Sequence, residues 1–328
     1  MAASKDFIQL PCSQDLIQAG TASVIRSLVQ PGGRQADTRF DRLRYEVVDK
    51  AIDLAFRRLL TDEEVPHQLV EPISFSQPDT FDVAFGGRRC VFFGMLVSQR
   101  EEISKFHSDL GYLAKEKVYI RESQRPSAYR DVDVYIFAFL TGLVTRSQQE
   151  LLKAVAASEP VCLLFPMPDE WTAPDEWASL GPLALKGDIS EPLPVTLYGQ
   201  DGKRGYLQET MKLPSRERIQ LEAKFNTLSV IEPARLPEGP VGVYSPRLQE
   251  TLLVYPFQWG NVWVYGMCIT LVGYISQGDF NRQADRLPAG NRVVGNPRLE
   301  EEAFSLSIND LKSIKDLFSR AEKWAKKG

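Results

Sequence analysis

The alternation of apolar and polar residues predicts that helices and strands follow one another along this chain. From residue 40 to residue 60, apolar side chains recur every three to five positions, which is the period of one helix face. Residues 80–98 hold two apolar runs on either side of Gly86-Gly87, the pattern of two strands joined by a tight turn. The second run, CVFFGML, is apolar nearly throughout, as in a strand buried on both faces. We therefore expect a sheet centred on this hairpin.

The elements after the hairpin extend this pattern. Further strands are predicted at KVYIRE, DVDVYIFAFL and PVCLLFP. Capping boxes, in which a hydroxyl and an acidic side chain three residues later satisfy unpaired backbone groups, predict helices that begin at Ser98 and at Ser147. The first of these helices is expected to continue to about Lys117. This order predicts an α/β layer with a mixed sheet.

The character of the chain changes after residue 165. Six prolines and two tryptophans between residues 166 and 195 indicate an ordered but irregular crossing segment. A hairpin around Asp201-Gly202, a helix at residues 215–228, several strands and a C-terminal helix are predicted next. We therefore expect a β-rich insertion or second domain. The predicted division is an N-terminal extension at residues 1–36, an α/β core at 37–165, and a third part at 166–328 with the crossing segment, the β-rich subdomain and the last helix.

Composition and charge narrow the choice of partner. The chain has 328 residues, of which 43% are apolar and 25% charged, and its net charge is −4. This balance argues against a broadly basic nucleic-acid surface, but it is compatible with a local basic groove. The candidates for such a groove, binding DNA or RNA, are the cations of the hairpin turn and of the next loop: Arg88, Arg89, Lys115, Lys117, Arg121, Arg125 and Arg130.

Metal-site and targeting patterns are sparse. The four cysteines form no CxxC pair and there are only two histidines, so a bound metal would need carboxylate ligands and would be magnesium or manganese. No run approaches the ~18 apolar residues of a membrane span. The first residues lack the apolar core of a signal peptide. We expect a cytoplasmic protein without a membrane partner.

The order of a helix, an acid-bearing hairpin, a second helix and further strands resembles the core of the PD-(D/E)XK nuclease superfamily. The resemblance implies a restriction-endonuclease-like sheet. In that family an Asp on the first hairpin strand and a D/E-x-K pair on the next strand hold a divalent ion and position the attacking water. Hard oxygen ligands around magnesium neutralise phosphodiester charge and activate water. On this chain the resemblance assigns the hairpin acid, and any metal, to Asp82, and the helix acid to Glu46.

The second hairpin strand departs from the family pattern. Phe93-Gly94-Met95-Leu96 stand where an acid, a spacer and a lysine belong. We therefore interpret the chain as a catalytically degenerate nuclease-like protein without a cofactor. It would act as an interaction or nucleic-acid-associated subunit of a protein complex in bacterial defence or DNA processing. The first alternative is an active magnesium-dependent nuclease whose second acid has moved to Glu101 or Glu102.

A second alternative comes from the strand RRCVFFGML, the strands KVYI and DVDVYIFAF, and the helix and strand that follow them. This order is similar to TIR-like and nucleoside-deoxyribosyltransferase-like domains. That resemblance implies a nucleotide enzyme in which Glu150 is catalytic and contacts a ribose. The capping box accounts for Glu150 without chemistry.

Overall fold

A computed structural model describes residues 6–29, 40–71, 82–125, 130–296 and 298–325. It is mixed α/β with several sheets, as the sequence predicts at this coarse level. The sequence also contains a capping-box pattern that starts at Thr38 and, just before the hairpin, a literal Pro78-Asp79 pair of the nuclease motif. Thr38 and this pair lie outside the described residues.

Seven helices and eighteen strands lie within the described ranges. The helices are α1 (Gln14–Val29), α2 (Phe40–Asp62), α3 (Arg100–Ser108), α4 (Gln148–Ala156), α5 (Asp169–Thr172), α6 (Gln277–Gln283) and α7 (Ile314–Ala325). The strands are β1 (Ile8–Pro11), β2 (Gln68–Val70), β3 (Asp82–Phe85), β4 (Arg88–Val97), β5 (Lys117–Arg121), β6 (Val134–Leu143), β7 (Leu163–Pro166), β8 (Ala184–Gly187), β9 (Leu193–Gln200), β10 (Tyr206–Leu213), β11 (Arg218–Gln220), β12 (Thr227–Pro233), β13 (Val241–Ser245), β14 (Glu250–Val254), β15 (Gly260–Asn261), β16 (Tyr265–Ser276), β17 (Asp285–Leu287) and β18 (Ala303–Ser307).

The chain forms two compact units, each made of separate segments. Unit 1 comprises Met1–Gly20, Val48–Val144 and Val264–Gly328, and unit 2 comprises Thr21–Val47 and Thr145–Trp263. This division differs from the predicted boundaries after residues 36 and 165. The reason is that β16, which follows the β-rich part, pairs with β6 of the first sheet, whereas α1 and α2 each contribute residues to both units.

Unit 1 is built on a six-stranded sheet in the order β1-β16-β6-β4-β3-β2. Strands β4 and β6 are parallel, whereas the other neighbouring strands are antiparallel, so the sheet is mixed. Strand β6 is rich in aromatic and β-branched residues and is buried along nearly its whole length, as suits a central strand. A three-stranded sheet, β17-β18-β5, shares a hydrophobic core with it.

Strand β4 meets different neighbours on its two faces. Phe93 and Met95 belong to the core shared with the three-stranded sheet. Gly94 points the other way, toward α2, and its backbone N–H donates to Asp49 Oδ1 at 2.7 Å. A Cβ at Gly94 would lie within 2.9 Å of atoms of Val48, Asp49 and Ile52, so the absence of a side chain allows the close approach of α2.

Unit 2 contains two sheets that share a second hydrophobic core. The five-stranded sheet has the order β10-β9-β12-β7-β15 and the four-stranded sheet the order β11-β8-β13-β14. The predicted hairpin around Asp201-Gly202 is present as the β9–β10 pair. The predicted helix at residues 215–228 is wrong, because this segment holds β11 and the start of β12. Its apolar residues alternate with exposed polar ones in β11, and the partners that fix this extended form come from β8.

The capping boxes had different outcomes. The box at Ser147 is present, with Ser147 Oγ accepting from the Glu150 backbone N–H. The box at Ser98 is wrong: the residue before α3 is Gln99, and it makes no side-chain capping bond. Helix α3 also ends at Ser108, well before the predicted Lys117. There the Asp109 side chain accepts from the Gly111 N–H, which favours a turn over a further helical residue.

Candidate functional site at the β3–β4 hairpin

Asp82 begins β3 and is held by an arginine of the next strand. Its Oδ2 accepts from Arg89 Nη1 at 2.9 Å, and both side chains are mostly buried, at 20% and 24% exposure. The same Arg89 nitrogen donates to the backbone carbonyl of Glu71. This cross-strand ion pair gives Asp82 a structural role, since it fixes the hairpin against the end of β2.

The positions of β4 that face Asp82 carry no metal ligands. Continuing the register in which Ala84 pairs with Arg89 places Val91 opposite Asp82 and Phe93 two residues further on the same face. The Phe93 ring centroid lies 5.5 Å from that of Phe137, and the side chain is 4% exposed. These apolar side chains are part of the core.

The Gly86-Gly87 turn gathers cations. Both glycines have positive φ, at 52° and 75°, which is the geometry of a tight hairpin turn. The guanidinium of Arg88 lies 4.0 Å above the ring centroid of Trp324, and Arg130 Nη2 donates to the Gly87 carbonyl. The turn therefore presents Arg88 and Arg130 beside flexible backbone.

Asp133 joins this turn to the start of β6. Its side chain is 1% exposed and accepts from the backbone N–H groups of Arg89 and Arg130, at 3.0 and 2.7 Å. Nearby, burial and then the Asp133 charge raise the pKa of the Cys90 thiol. A thiol that stays protonated is a poor nucleophile, so Cys90 is a buried packing residue of the sheet.

The other predicted catalytic acids lie elsewhere. Glu46 is in unit 2, where Ser27 donates to it at 3.3 Å and Arg42 lies 3.8 Å away. Glu150, also in unit 2, accepts from the backbone N–H of Arg146 at 2.7 Å in the capping box. The strand PVCLLF after it, β7, pairs with β12 and β15 and not with β4 or β6. The parallel sheet that the TIR-like interpretation requires therefore does not include this strand.

Glu102, a candidate for the second acid of an active nuclease, lies on α3, beyond the carboxyl end of β4. Its side chain is 6% exposed and accepts from Arg292 Nη2 and from the Gly295 N–H, both at 3.3 Å. Asp82 lies opposite Val91, six residues before Val97 at the carboxyl end of β4, and Glu102 comes after that end. At about 3.3 Å per residue, those six residues of strand span about 20 Å. Glu102 therefore does not complete a metal site with Asp82, and Glu101 precedes it on the same short helix.

The seven predicted nucleic-acid contacts occupy three places in unit 1. The hairpin turn joins Arg88, Arg89 and Arg130 through the contacts above. The guanidinium of Arg125 lies 4.4 Å above the Phe304 ring, close to Arg121 at the end of β5. Lys117 begins β5 and pairs with Asp285 at 3.2 Å, and Lys115 is in the turn just before it. The two ends of β5, with Lys117 at one and Arg121 at the other, are about 13 Å apart.

Unit 2 holds a polar cluster that the sequence did not suggest. The Tyr198 hydroxyl donates to Glu232 Oε2, and the Cys162 thiol lies 3.7 Å from Glu232 Oε1. Burial and the Glu232 carboxylate raise the pKa of both Tyr198 and Cys162. Both groups keep their protons, and each contacts one oxygen of the Glu232 carboxylate, so the cluster has a structural role. The three residues come from separate strand regions, and no local motif links them.

Asp279, at the start of α6, gives a pH-dependent prediction. The Ser276 hydroxyl and then the Lys312 and Arg282 cations hold its pKa below the ordinary value. Because the folded-state pKa is below the unfolded-state value of about 3.9, ionised Asp279 adds stability above that pH, and this is lost as the pH falls through the folded-state pKa. Asp279→Asn should therefore lower the melting temperature by about 2 °C at pH 7.

The difference between the wild type and Asp279→Asn should disappear in acid, in a series of thermal melts from neutral to low pH. Asp285→Asn, whose carboxylate is 75% exposed beside Lys117, is the control and should change the melting temperature less at every pH. A difference for Asp279→Asn that grows as the pH falls would contradict this account.

The chemical capacity of the hairpin site follows from these contacts. Within the described ranges, no group of three or more His, Cys, Asp or Glu side chains is arranged to hold a metal ion. Within the described residues, the Asp82 carboxylate accepts from the Arg89 guanidinium, which is a cation and not an oxygen ligand of the kind that magnesium requires. The same part of the chain contains no helix with the length and apolar character needed to cross a membrane.

Comparison with known proteins gave no match to a family model, to a curated protein or to a solved structure.

Proposed function

We propose that this chain is a catalytically degenerate, nuclease-like protein that associates with nucleic acid as a subunit of a larger assembly. One observation carries the proposal. Asp82, the acid at the family's metal position, is bonded to Arg89, while β4 carries packed apolar side chains where the second acid and the lysine belong. In this proposal the hairpin stabilises the fold, and none of its residues is catalytic.

The arrangement of elements supports the nuclease-like part of the proposal. Helix α2 is followed by the antiparallel strands β2, β3 and β4, then by α3, then by β6 parallel to β4. The order of helix, strand, acid-bearing hairpin, helix and strands is the one on which the PD-(D/E)XK resemblance rests; β5, which lies in the three-stranded sheet, comes between α3 and β6. Asp82 stands on the first strand of that hairpin, as the resemblance requires.

The cations of the turn support association with nucleic acid. Arg88 and Arg130 lie beside the two glycines of the turn. Guanidinium groups bind phosphate oxygens through paired N–H donors, and glycine lets a phosphate approach the backbone. Such contacts neutralise phosphates irrespective of base sequence, so binding should weaken as the salt concentration rises.

A cleavage assay tests the proposal. Wild type and Asp82→Ala should both leave duplex DNA, single-stranded DNA and RNA intact in magnesium or manganese, while both retain duplex DNA in a gel-shift assay at low salt. The expected change in duplex affinity between the two proteins is less than about threefold, because Asp82 contacts Arg89 and not the ligand.

Two results would overturn the proposal in different ways. Metal-dependent cleavage by the wild type that Asp82→Ala abolishes would show that the site is active. Failure of both proteins to bind any nucleic acid at low salt would remove the nucleic-acid association. Cleavage of equal rate in both preparations would not involve Asp82, and repeating it with EDTA would identify a metal-dependent contaminant.

A further inference from the structure

The four-stranded sheet of unit 2 has one face in the core and one face in solvent. Leu185, Val241, Val243, Leu252 and Val254 point inward, into the hydrophobic core of the unit. The residues that alternate with them point outward, because successive side chains of a strand lie on opposite faces. We name this outward side of β11, β8, β13 and β14 the outer face.

The register of the strands fixes the rows of the outer face. One row runs across the sheet through Arg218, Lys186, Gly242 and Leu253. The next row contains Gln220, Ala184, Tyr244 and Thr251. Gly242 and Ala184 place almost no bulk at the centre of these rows, so the middle of the face is flat.

Charge is segregated on this face. Lys186 and Arg218 are exposed, and in the two rows, all of whose residues the structure describes, there is no Asp or Glu. Beside them Asp188 is already paired with Arg216 at 3.3 Å. Exposed Glu217 and Glu222 flank β11, so the positive charge of this side of the sheet is concentrated in the row that contains Lys186 and Arg218.

Exposed apolar and aromatic side chains lie on β14 and in the turn that follows it. Leu253 and Tyr255 are 47% and 42% exposed, and Phe257 is 70% exposed, although each is a large apolar or aromatic residue. The rings of Tyr255 and Phe257 are stacked, with centroids 5.8 Å apart and planes 16° apart. Tyr244 lies on β13, between β8 and β14, with the Arg218 guanidinium 5.2 Å from its ring centroid.

We propose that the outer face binds single-stranded nucleic acid. Phosphates would lie along β11 and β8, at Lys186 and at Arg218, which lies over the Tyr244 ring, and unpaired bases would stack on the exposed Tyr255–Phe257 pair. Adjacent strands are about 4.8 Å apart, so β8 and β14 are separated by about 10 Å. A backbone that follows the cationic strands can therefore extend its bases over the aromatic ones. Cationic grooves beside aromatic stacking surfaces are the general means of binding single strands without sequence preference.

The combination favours this ligand over two others. A duplex keeps its bases paired and stacked internally, so it has no use for exposed aromatic rings. A protein strand added to the edge of β14 would use the apolar residues but would leave Lys186 and Arg218, on the far side of the sheet, without a role. The proposal adds a second nucleic-acid surface to the proposed function, and it stands or falls separately from the hairpin.

Fluorescence anisotropy with labelled poly(dT) and poly(U) oligonucleotides of about 16 nucleotides tests the proposal. The full chain should bind both. The double variant Lys186→Gln/Arg218→Gln should bind at least tenfold more weakly and show a shallower dependence of log K on log salt, by about 1.4 for the two lost phosphate contacts. Tyr255→Ala/Phe257→Ala should weaken binding about tenfold with an unchanged salt dependence.

Matched variants locate the effect. Lys153→Gln/Lys212→Gln removes two exposed cations from unit 2 away from the outer face and should bind like the wild type. Arg88→Gln/Arg130→Gln removes the hairpin cations and should weaken duplex binding; in that background Lys186→Gln/Arg218→Gln should still weaken oligonucleotide binding at least tenfold. Circular dichroism and thermal melting verify that each variant is folded. If the double variant Lys186→Gln/Arg218→Gln does not fold, Lys186→Gln alone replaces it.

The results separate the two proposals. If single strands bind but the outer-face variants bind like the wild type, the inference about this face is wrong while the proposed function stands. If the wild type binds duplex DNA and no single strand, the inference also fails alone. If the outer-face variants lose only a protein partner captured by the wild type, the face is a protein-binding surface and the inference is overturned.

Discussion

Replacement of Arg44 with alanine is expected to lower the free energy of unfolding by about 4 kcal/mol. The Arg44 side chain is 6% exposed within unit 2. Its Nε and Nη2 donate to the Asn261 carbonyl at 3.1 and 2.7 Å, and Nη2 also donates to the Thr145 carbonyl at 2.8 Å. Burial lowers the pKa of this guanidinium, and the Asp41 carboxylate, 2.8 Å from Nη1, partly offsets that effect.

The size of the effect follows from what the substitution leaves behind. Alanine removes charge-assisted hydrogen bonds to the backbone carbonyls of Asn261 and Thr145, each worth about 1.5–3 kcal/mol. Asn261 also anchors its surroundings, since its side chain accepts from the Cys162 and Trp263 backbone N–H groups. Arg44→Lys should recover only part of the loss, because a single ammonium does not reproduce the planar set of donors.

Urea unfolding followed by tryptophan fluorescence measures this change, because four of the five tryptophans lie in unit 2. Arg42→Ala is the matched control on the same helix. Its guanidinium lies 3.8 Å from Glu46 with side-chain exposures of 21% and 36%, and its loss should cost less than about 1 kcal/mol. Equal shifts of the unfolding midpoint for the two variants would contradict the assigned role of Arg44.

Replacement of Gly94 with valine should destabilise unit 1 by about 3 kcal/mol. A Cβ at this position would lie 2.6 Å from Asp49 Oδ1, 2.8 Å from Ile52 Cδ1 and 2.9 Å from Val48 Cγ1. Three neighbours on one helix must move together, and the hydrogen bond from the Gly94 N–H to Asp49 is lost if they do. Gly94→Ala should have a smaller effect of the same sign.

Unfolding monitored by far-ultraviolet circular dichroism tests the prediction. Gly202→Val is the control, because the nearest atom to a Cβ there is Asn226 Oδ1 at 3.6 Å. That control should change the free energy of unfolding by less than about 0.5 kcal/mol. A Gly94→Val protein as stable as the wild type would mean that α2 does not pack against β4 as closely as described.

The strand β4, which contains Gly94, also bears on the proposed function. In the proposed nuclease-like alignment, Phe93, Gly94 and Met95 occupy the positions of an acid, a spacer and a lysine. The contacts of Gly94 with α2, and the burial of Phe93 and Met95 in the core, give each a packing role. Placing a metal ligand on this strand would therefore require a charge in a close-packed interior, at a cost of several kcal/mol.

Local patterns determined much of the secondary structure. The helical period of α2, the glycine turn between β3 and β4, and the capping box at Ser147 each depend on residues a few positions apart, and each is present. The cross-strand ion pair of Asp82 with Arg89 also follows from local sequence, because the hairpin itself fixes which residues face each other. Such interactions are encoded within one or two elements.

Only the tertiary structure decided how the elements combine. Residues 215–228 have an apolar spacing that a helix also allows, and it is pairing with β8 that holds Arg218–Gln220 as a strand. The return of β16 to the first sheet and the burial of Arg44 against Asn261, 217 residues away, depend on long-range contacts.

The outer face is decided in the same way, because its cations and aromatic rings come from three separate strands and from the turn after β14. The sequence by itself therefore determined the local elements and the apolar character of β4. The sheet orders, the two interleaved units and the candidate binding surface required the fold, because pairing between distant strands leaves no mark in the spacing of neighbouring residues.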